Sequence, residues 1–161
     1  MQASALTATA FAPFGDVIEA AGRRPTSINA GTARRFADLA HLDLLEAGGR
    51  PILSIVQSSP RPLPLRLSVL ERHPLSSQAF IPLDARPFLI VVAHDGAEEL
   101  STRIRAFIAS GNQGVNYRRN TWHHPLIALE ATCRFLAVER GGTGQNCDEA
   151  QIRNGLYVAA P

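Results

Sequence analysis

Short runs in which apolar and polar residues alternate fill most of this chain, and proline and glycine separate them. Side chains two apart share a face of an extended chain, so such runs predict half-buried strands. They fall at 52–58, 65–72, 77–83, 88–93, 105–109, 115–118, 121–125, 126–132 and 133–139. Within 65–72, Leu65, Leu67 and Val69 lie on one face, against Arg66, Ser68 and Leu70 on the other. The prolines of 60–64 exclude a helix there and mark a connector. Near the start, 7–12 reads as a helical turn, broken by Pro13 and Gly15 before a strand through Val17. Residues 21–33 read as a loop, 34–45 as a strand start with a short helix or turn, and 97–103 as a loop with room for one helical turn. The segment 141–148 is loop-like, and the last residues either pack as a short strand on another subunit or trail free. About eight to ten short strands with few helices predict a mainly β fold, a barrel or a sandwich.

Two stretches interrupt this pattern with polar groups. The first runs from Glu71 to Pro82 and sets Glu71, Arg72, His73 and Gln78 between two apolar strands. Glu71 and His73 share a face, and Arg72 points to the other. Burying a carboxylate and an imidazole is costly unless each finds a partner or a metal, so a site is the economical explanation. The second stretch, Gly111 to Pro125, holds Asn116, Tyr117, Trp122, His123 and His124. In a strand over 121–125, the two histidines face opposite sides and only one joins the site; His123 is the choice, since His124 precedes a proline.

Composition narrows the class. At 161 residues with 45% apolar positions, the chain suits one domain, 1–161, with a sizeable core. A formal charge of +2 argues for neither nucleic acid nor an anionic membrane as partner. The positive charge is carried by arginine, in pairs rather than a run, which suits carboxylate recognition as well as solubility. Cys133 and Cys147 form no metal-spaced pair and no disulfide framework; Cys133 reads as a small buried hydrophobe and Cys147 as exposed. Nothing reads as a signal peptide or a membrane span, which makes the cytoplasm the expected location.

The pattern Glu71-x-His73-x4-Gln78, followed by Gly114 and His123, resembles the two-part cupin metal motif, with Glu71 in place of its first histidine and Gln78 in place of its glutamate. The segments at 14–19, 28–31, 71–75, 78–82, 105–108, 114–126 and 140–142, in this order, resemble the ureidoglycolate lyase (ureidoglycolate hydrolase) family. The resemblance implies a cupin-like jelly-roll β-barrel with a few short helices, acting as a homodimer in allantoin and purine degradation. It implies conversion of (S)-ureidoglycolate to glyoxylate and urea, and a divalent metal, nickel in particular. Carried onto this chain, the cupin likeness makes Glu71, His73, Gln78 and His123 the candidate metal ligands.

Ureidoglycolate is a carbinolamide, so its collapse needs a base for the hydroxyl proton and an acid for the departing urea nitrogen. His73, His123 and Glu71 are the candidate catalytic groups, with base and acid left open among them. Arg72, or Arg35 and Asn29 on the early loop, could meet the substrate carboxylate. Gln78, Asn116 and Tyr117 could hydrogen-bond the urea or the carboxylate. Two other readings fit a cupin barrel: a metal-dependent enzyme on another small acid, and a non-enzymatic ligand-binding barrel.

Overall fold

The computed structural model describes residues 1–152 and 155–159. In chain order the strands are β1 Ser4–Ala5, β2 Gly15–Ile18, β3 Thr26–Ile28, β4 Ala33–Arg35, β5 Arg50–Ser58, β6 Leu65–Arg66, β7 Val69–Arg72 and β8 Gln78–Pro82. They continue with β9 Phe88–Ala93, β10 Ile104–Ala109, β11 Gly114–Tyr117, β12 Trp122–His123, β13 Ile127–Ala128, β14 Cys133–Gly141, β15 Asp148–Gln151 and β16 Tyr157–Val158. One helical turn, Ala8–Phe11, is capped by the Thr7 hydroxyl, which accepts from the Ala10 N–H.

The mainly β, cupin-like fold is built as two facing sheets. One has seven strands, ordered β1-β10-β9-β12-β7-β15 with β13 added to β9; the other has five, ordered β2-β11-β8-β14-β5. Among the described residues no strand pairing joins the two sheets. Their inner faces meet through Phe88, Ile90, Val92 and Phe107 on one side and Phe80, Val115, Tyr117 and Phe135 on the other. The Phe88 and Phe135 rings pack edge to face with centroids 5.0 Å apart. β9 is buried along its whole length because its other face is covered too: Leu89, Val91 and Ala93 pack under Leu65, Leu67, Leu70, Ile152 and Val158.

Three expectations change. The run 65–72 is two strands, because Leu67 and Leu70 are both fully buried in the same outer cluster although an odd number of positions apart. The backbone turns between them: the Leu67 N–H donates to the Leu156 carbonyl and the Ile152 N–H to the Ser68 carbonyl. Residues 21–33 are not all loop, since β3 and β4 form an exposed hairpin around Asn29–Gly31. The C-terminal strand β16 pairs with β6 of its own chain rather than with another subunit; residues 153–154 and 160–161 lie outside the described set. Cys133 is buried and Cys147 exposed, as expected. No helix among the described residues is long and apolar enough to cross a membrane.

Candidate active site

The site is built where β7, β8, β11 and β12 come together. Register sets His123 on β12 beside Glu71 on β7, and Tyr117 on β11 beside Gln78 on β8. β7 ends at Arg72, with His73 and Pro74 just beyond it, and the Asn120 N–H donates to the His73 carbonyl at 3.1 Å, which ties the two polar stretches together. Asn120 sits at φ 65, the left-handed region that asparagine tolerates. Gly15 lets β2 dock on β11: a Cβ there would collide with the Asn116 carbonyl, and its φ is +152.

Each histidine is oriented from behind by a backbone carbonyl. Nδ1 of His73 lies 2.6 Å from the Asn146 carbonyl, and Nδ1 of His123 lies 2.8 Å from the Thr121 carbonyl. A carbonyl only accepts, so both Nδ1 atoms carry the proton, and in the neutral rings both Nε2 atoms present lone pairs. Both Nε2 atoms face the same acceptor, Oε1 of Gln78, at 3.0 Å from His73 and 3.2 Å from His123. Oε1 of Glu71 lies 3.5 Å from the His123 Nε2. The donor atoms of Glu71, His73 and His123 all lie within 4.8 Å of one another.

Four electron-pair donors therefore converge with no proton between them while the rings are neutral. A divalent cation fits that arrangement, and two imidazoles with carboxylate and amide oxygens are a donor set suited to a borderline ion such as nickel. Protonation of the rings fills the same space by letting Nε2 donate to Gln78 and Glu71, so metal and proton compete there. When Nε2 does carry a proton, the His123 ring donates to Glu71 and holds its carboxyl below the ordinary value, against the opposing effect of burial. His123 is buried, while Glu71 and His73 keep partial exposure and form the open side.

Tyr117 stacks flat on His123, with ring centroids 4.1 Å apart and planes 11° from parallel. Burial first, and then the Glu71 charge, raise its phenol well above the ordinary value, so it is a protonated donor at neutral pH. Asn146, besides holding His73, accepts from the Leu75 N–H and donates to the Ser76 hydroxyl, which fixes the loop 142–147 against the start of β8.

The remaining candidates lie elsewhere, and strand alternation explains most of it. Arg72 points to the outer face, pairs with Asp148 at 2.9 Å and lies over the Trp122 ring at 4.7 Å. Asn116, one position from Tyr117, is on the outer face of the five-stranded sheet, where it donates to Asp16 and to the His41 carbonyl. Asn29 and Arg35 lie on the exposed hairpin. His124 is buried on the far side of β12 from His123, its Nδ1 on the Pro125 carbonyl. Two contributors were missed from sequence: Asn146, for which no signal existed, and Glu139, which the inward alternation Cys133, Phe135, Ala137 points to directly.

Comparison with known proteins places this geometry. The family model described as ureidoglycolate lyase matches residues 1–159. The chain is 51% identical over 153 residues to a ureidoglycolate lyase of Burkholderia mallei, covering 95% of this chain and 89% of that one. It is 49% identical over 147 residues to that of Burkholderia cepacia, covering 91% and 83%, and 51% identical over 144 residues to that of Pseudomonas syringae pv. tomato, covering 89% and 85%. With identity near one half over 89–95% of its length, the chain belongs to the ureidoglycolate lyase family.

Proposed function

We propose that this chain, folded as one domain, is a ureidoglycolate lyase that converts (S)-ureidoglycolate to glyoxylate and urea in the breakdown of allantoin. Family membership and the activity named for its relatives support the reaction. The observation that carries the chemistry is the convergence of two Nε2 lone pairs, an amide oxygen and a carboxylate on one point. Glu71, His73, Gln78 and His123 are the residues that would hold a divalent ion, nickel being the one the family resemblance implies. When bound, such an ion supplies a Lewis acid that polarises the substrate's oxygens.

The chain's own residues do the rest. Glu71, a partly exposed carboxylate with its pKa below the ordinary value, is assigned the hydroxyl proton. It returns that proton to the urea nitrogen as the C–N bond breaks, so one carboxylate acts first as base and then as acid. The products are an aldehyde and neutral urea, and no proton is left over. His73 and His123, each locked by a carbonyl, keep their positions instead of shuttling protons. The Tyr117 hydroxyl is a donor for a substrate oxygen.

The substrate carboxylate needs a cation, and among the described residues no arginine pairs with or hydrogen-bonds to Glu71, His73, Gln78 or His123. In the homodimer that the family resemblance implies, the exposed hairpin with Asn29 and Arg35 is one element that could supply it. On that reading Arg35→Ala raises KM by about 10-fold or more, the worth of a charge-assisted hydrogen bond, with a smaller change in kcat; an unaltered KM would sink it.

The first test is release of urea and glyoxylate from (S)-ureidoglycolate by chelator-stripped protein, before and after nickel is added. Turnover that returns only with nickel is the expected result. Equal turnover in both states would remove the metal from the mechanism. Absence of both products in either state would overturn the lyase reading.

A further inference from the structure

A carboxamide has two chemically different ends on a nearly symmetric frame, and Gln78 turns its oxygen to the histidines. Left to the histidines alone, the other orientation is better: with its NH2 inward, Gln78 could donate one N–H to each Nε2 lone pair and close the site to a cation. Something behind Gln78 must prevent this. Glu139 follows Cys133, Phe135 and Ala137 on the inward face of β14, which brings it to Gln78 across the β8–β14 pair. Its Oε2 accepts from Gln78 Nε2 at 3.2 Å, and its Oε1 accepts from the Ser54 hydroxyl of β5 at 3.1 Å. A carboxylate accepts only, so turning the amide round would set oxygen against oxygen.

We propose that Glu139 is a positioning residue that makes Gln78 present its oxygen, and not its amide nitrogen, to the ion-binding point. Glu139 bonds to Gln78 Nε2 and to the Ser54 hydroxyl, and among the described residues it meets none of the converging donor atoms; it acts through Gln78. The inference rests on reading this site as a metal centre. It also accounts for a neutral amide serving in place of a carboxylate: the negative charge stands one residue further back.

Three readouts test it: nickel affinity from competition with a chelator, the visible spectrum of the cobalt-loaded protein, and the melting temperature of the metal-free protein. Glu139→Gln, whose amide can meet Gln78 in either orientation, is expected to bind nickel about 10–100-fold more weakly, the usual loss when a residue behind a ligand is changed. Its cobalt spectrum shifts while the metal-free melting temperature stays close to wild type. Adding Gln78→Glu to Glu139→Gln restores affinity, because a carboxylate at 78 offers oxygen whichever way it turns. Glu139→Asp, which keeps an acceptor-only group, retains the wild-type cobalt spectrum. Wild-type affinity and spectrum in Glu139→Gln would overturn the proposal, as would a double variant no better than the single one, or a spectrum altered alike by Asp and Gln. Wild-type protein that binds neither nickel nor cobalt would fail the metal reading before any substitution is made.

Discussion

His123 and His124 are neighbours in sequence and strangers in the fold. His123 faces inward, stacked on Tyr117, with Nε2 aimed at Gln78 and Glu71. His124 faces outward, buried, with its Nε2 unpartnered among the described residues, and burial holds it below its ordinary pKa. Replacing each in turn should therefore separate function from packing. His123→Ala is expected to lower nickel affinity and turnover by more than about 100-fold, beyond what residues behind the ligands usually cost. His124→Ala should lower the melting temperature and leave kcat close to wild type. Steady-state kinetics beside thermal melts decide the matter, and turnover untouched by His123→Ala would remove it from the site. The inward choice of His123, and the shared face of Glu71 and His73, were legible because alternation is a local rule that the strands obey. The same rule turned Arg72 and Asn116 away, and proximity in sequence was the wrong guide for them. Glu139 was legible in principle, at the end of an inward-facing series, but nothing local says that the series ends beside Gln78. That depends on the β8–β14 register, a long-range fact.

At the scale of elements, most strands lie where alternation put them, and the break inside 65–72 has a long-range cause. Between Leu67 and Leu70 the backbone turns to place both side chains in the cluster on the outer face of the seven-stranded sheet. No period-2 pattern encodes such a turn, because the partners that impose it, Ile152 and Leu156, are more than eighty positions away. Junctions between strands are held by a few polar contacts, and Asp84–Arg134 can be tested. Asp84, in the turn between β8 and β9, accepts from the Arg134 backbone N–H at 2.7 Å and from its guanidinium at 2.6 Å, which ties that turn to the start of β14. The guanidinium is the first cause of an Asp84 pKa lowered to about 2. The unfolded chain's aspartate titrates near ~3.9. The contribution is thus complete above about pH 4 and is lost as pH falls through about 2. Asp84→Asn should be less stable than wild type at pH 7, with the difference narrowing over that window. Urea midpoints at a series of pH values would show it, and a gap independent of pH would refute the account. The exposure of Arg134 keeps the effect small.

The molecule as a whole leaves one face unexplained by its own packing. β5 is a nine-residue edge strand that among the described residues pairs with β14 alone, and its outward Leu53 and Ile55 are 70% and 61% exposed. They sit opposite Val138 and Leu136 of β14, and Leu136 sits opposite Ile81 of β8, so the exposed positions continue into one apolar surface across three strands. Long exposed edges and apolar faces of this kind invite association, and this is the surface assigned here to the proposed homodimer. A charge at its centre should break the pair: Ile55→Glu is expected to convert a dimer to a monomer by light scattering. Wild type measured as a monomer, or a variant still dimeric, would reject the assignment. The monomeric variant carries a second consequence. Glu71, His73, Gln78 and His123 all come from one chain, so its nickel affinity should match wild type. If the hairpin bearing Arg35 serves the other copy's substrate, the monomer's KM should rise to the level of Arg35→Ala. A monomer with wild-type KM would confine the whole site to a single chain and leave the substrate carboxylate to be met from within it.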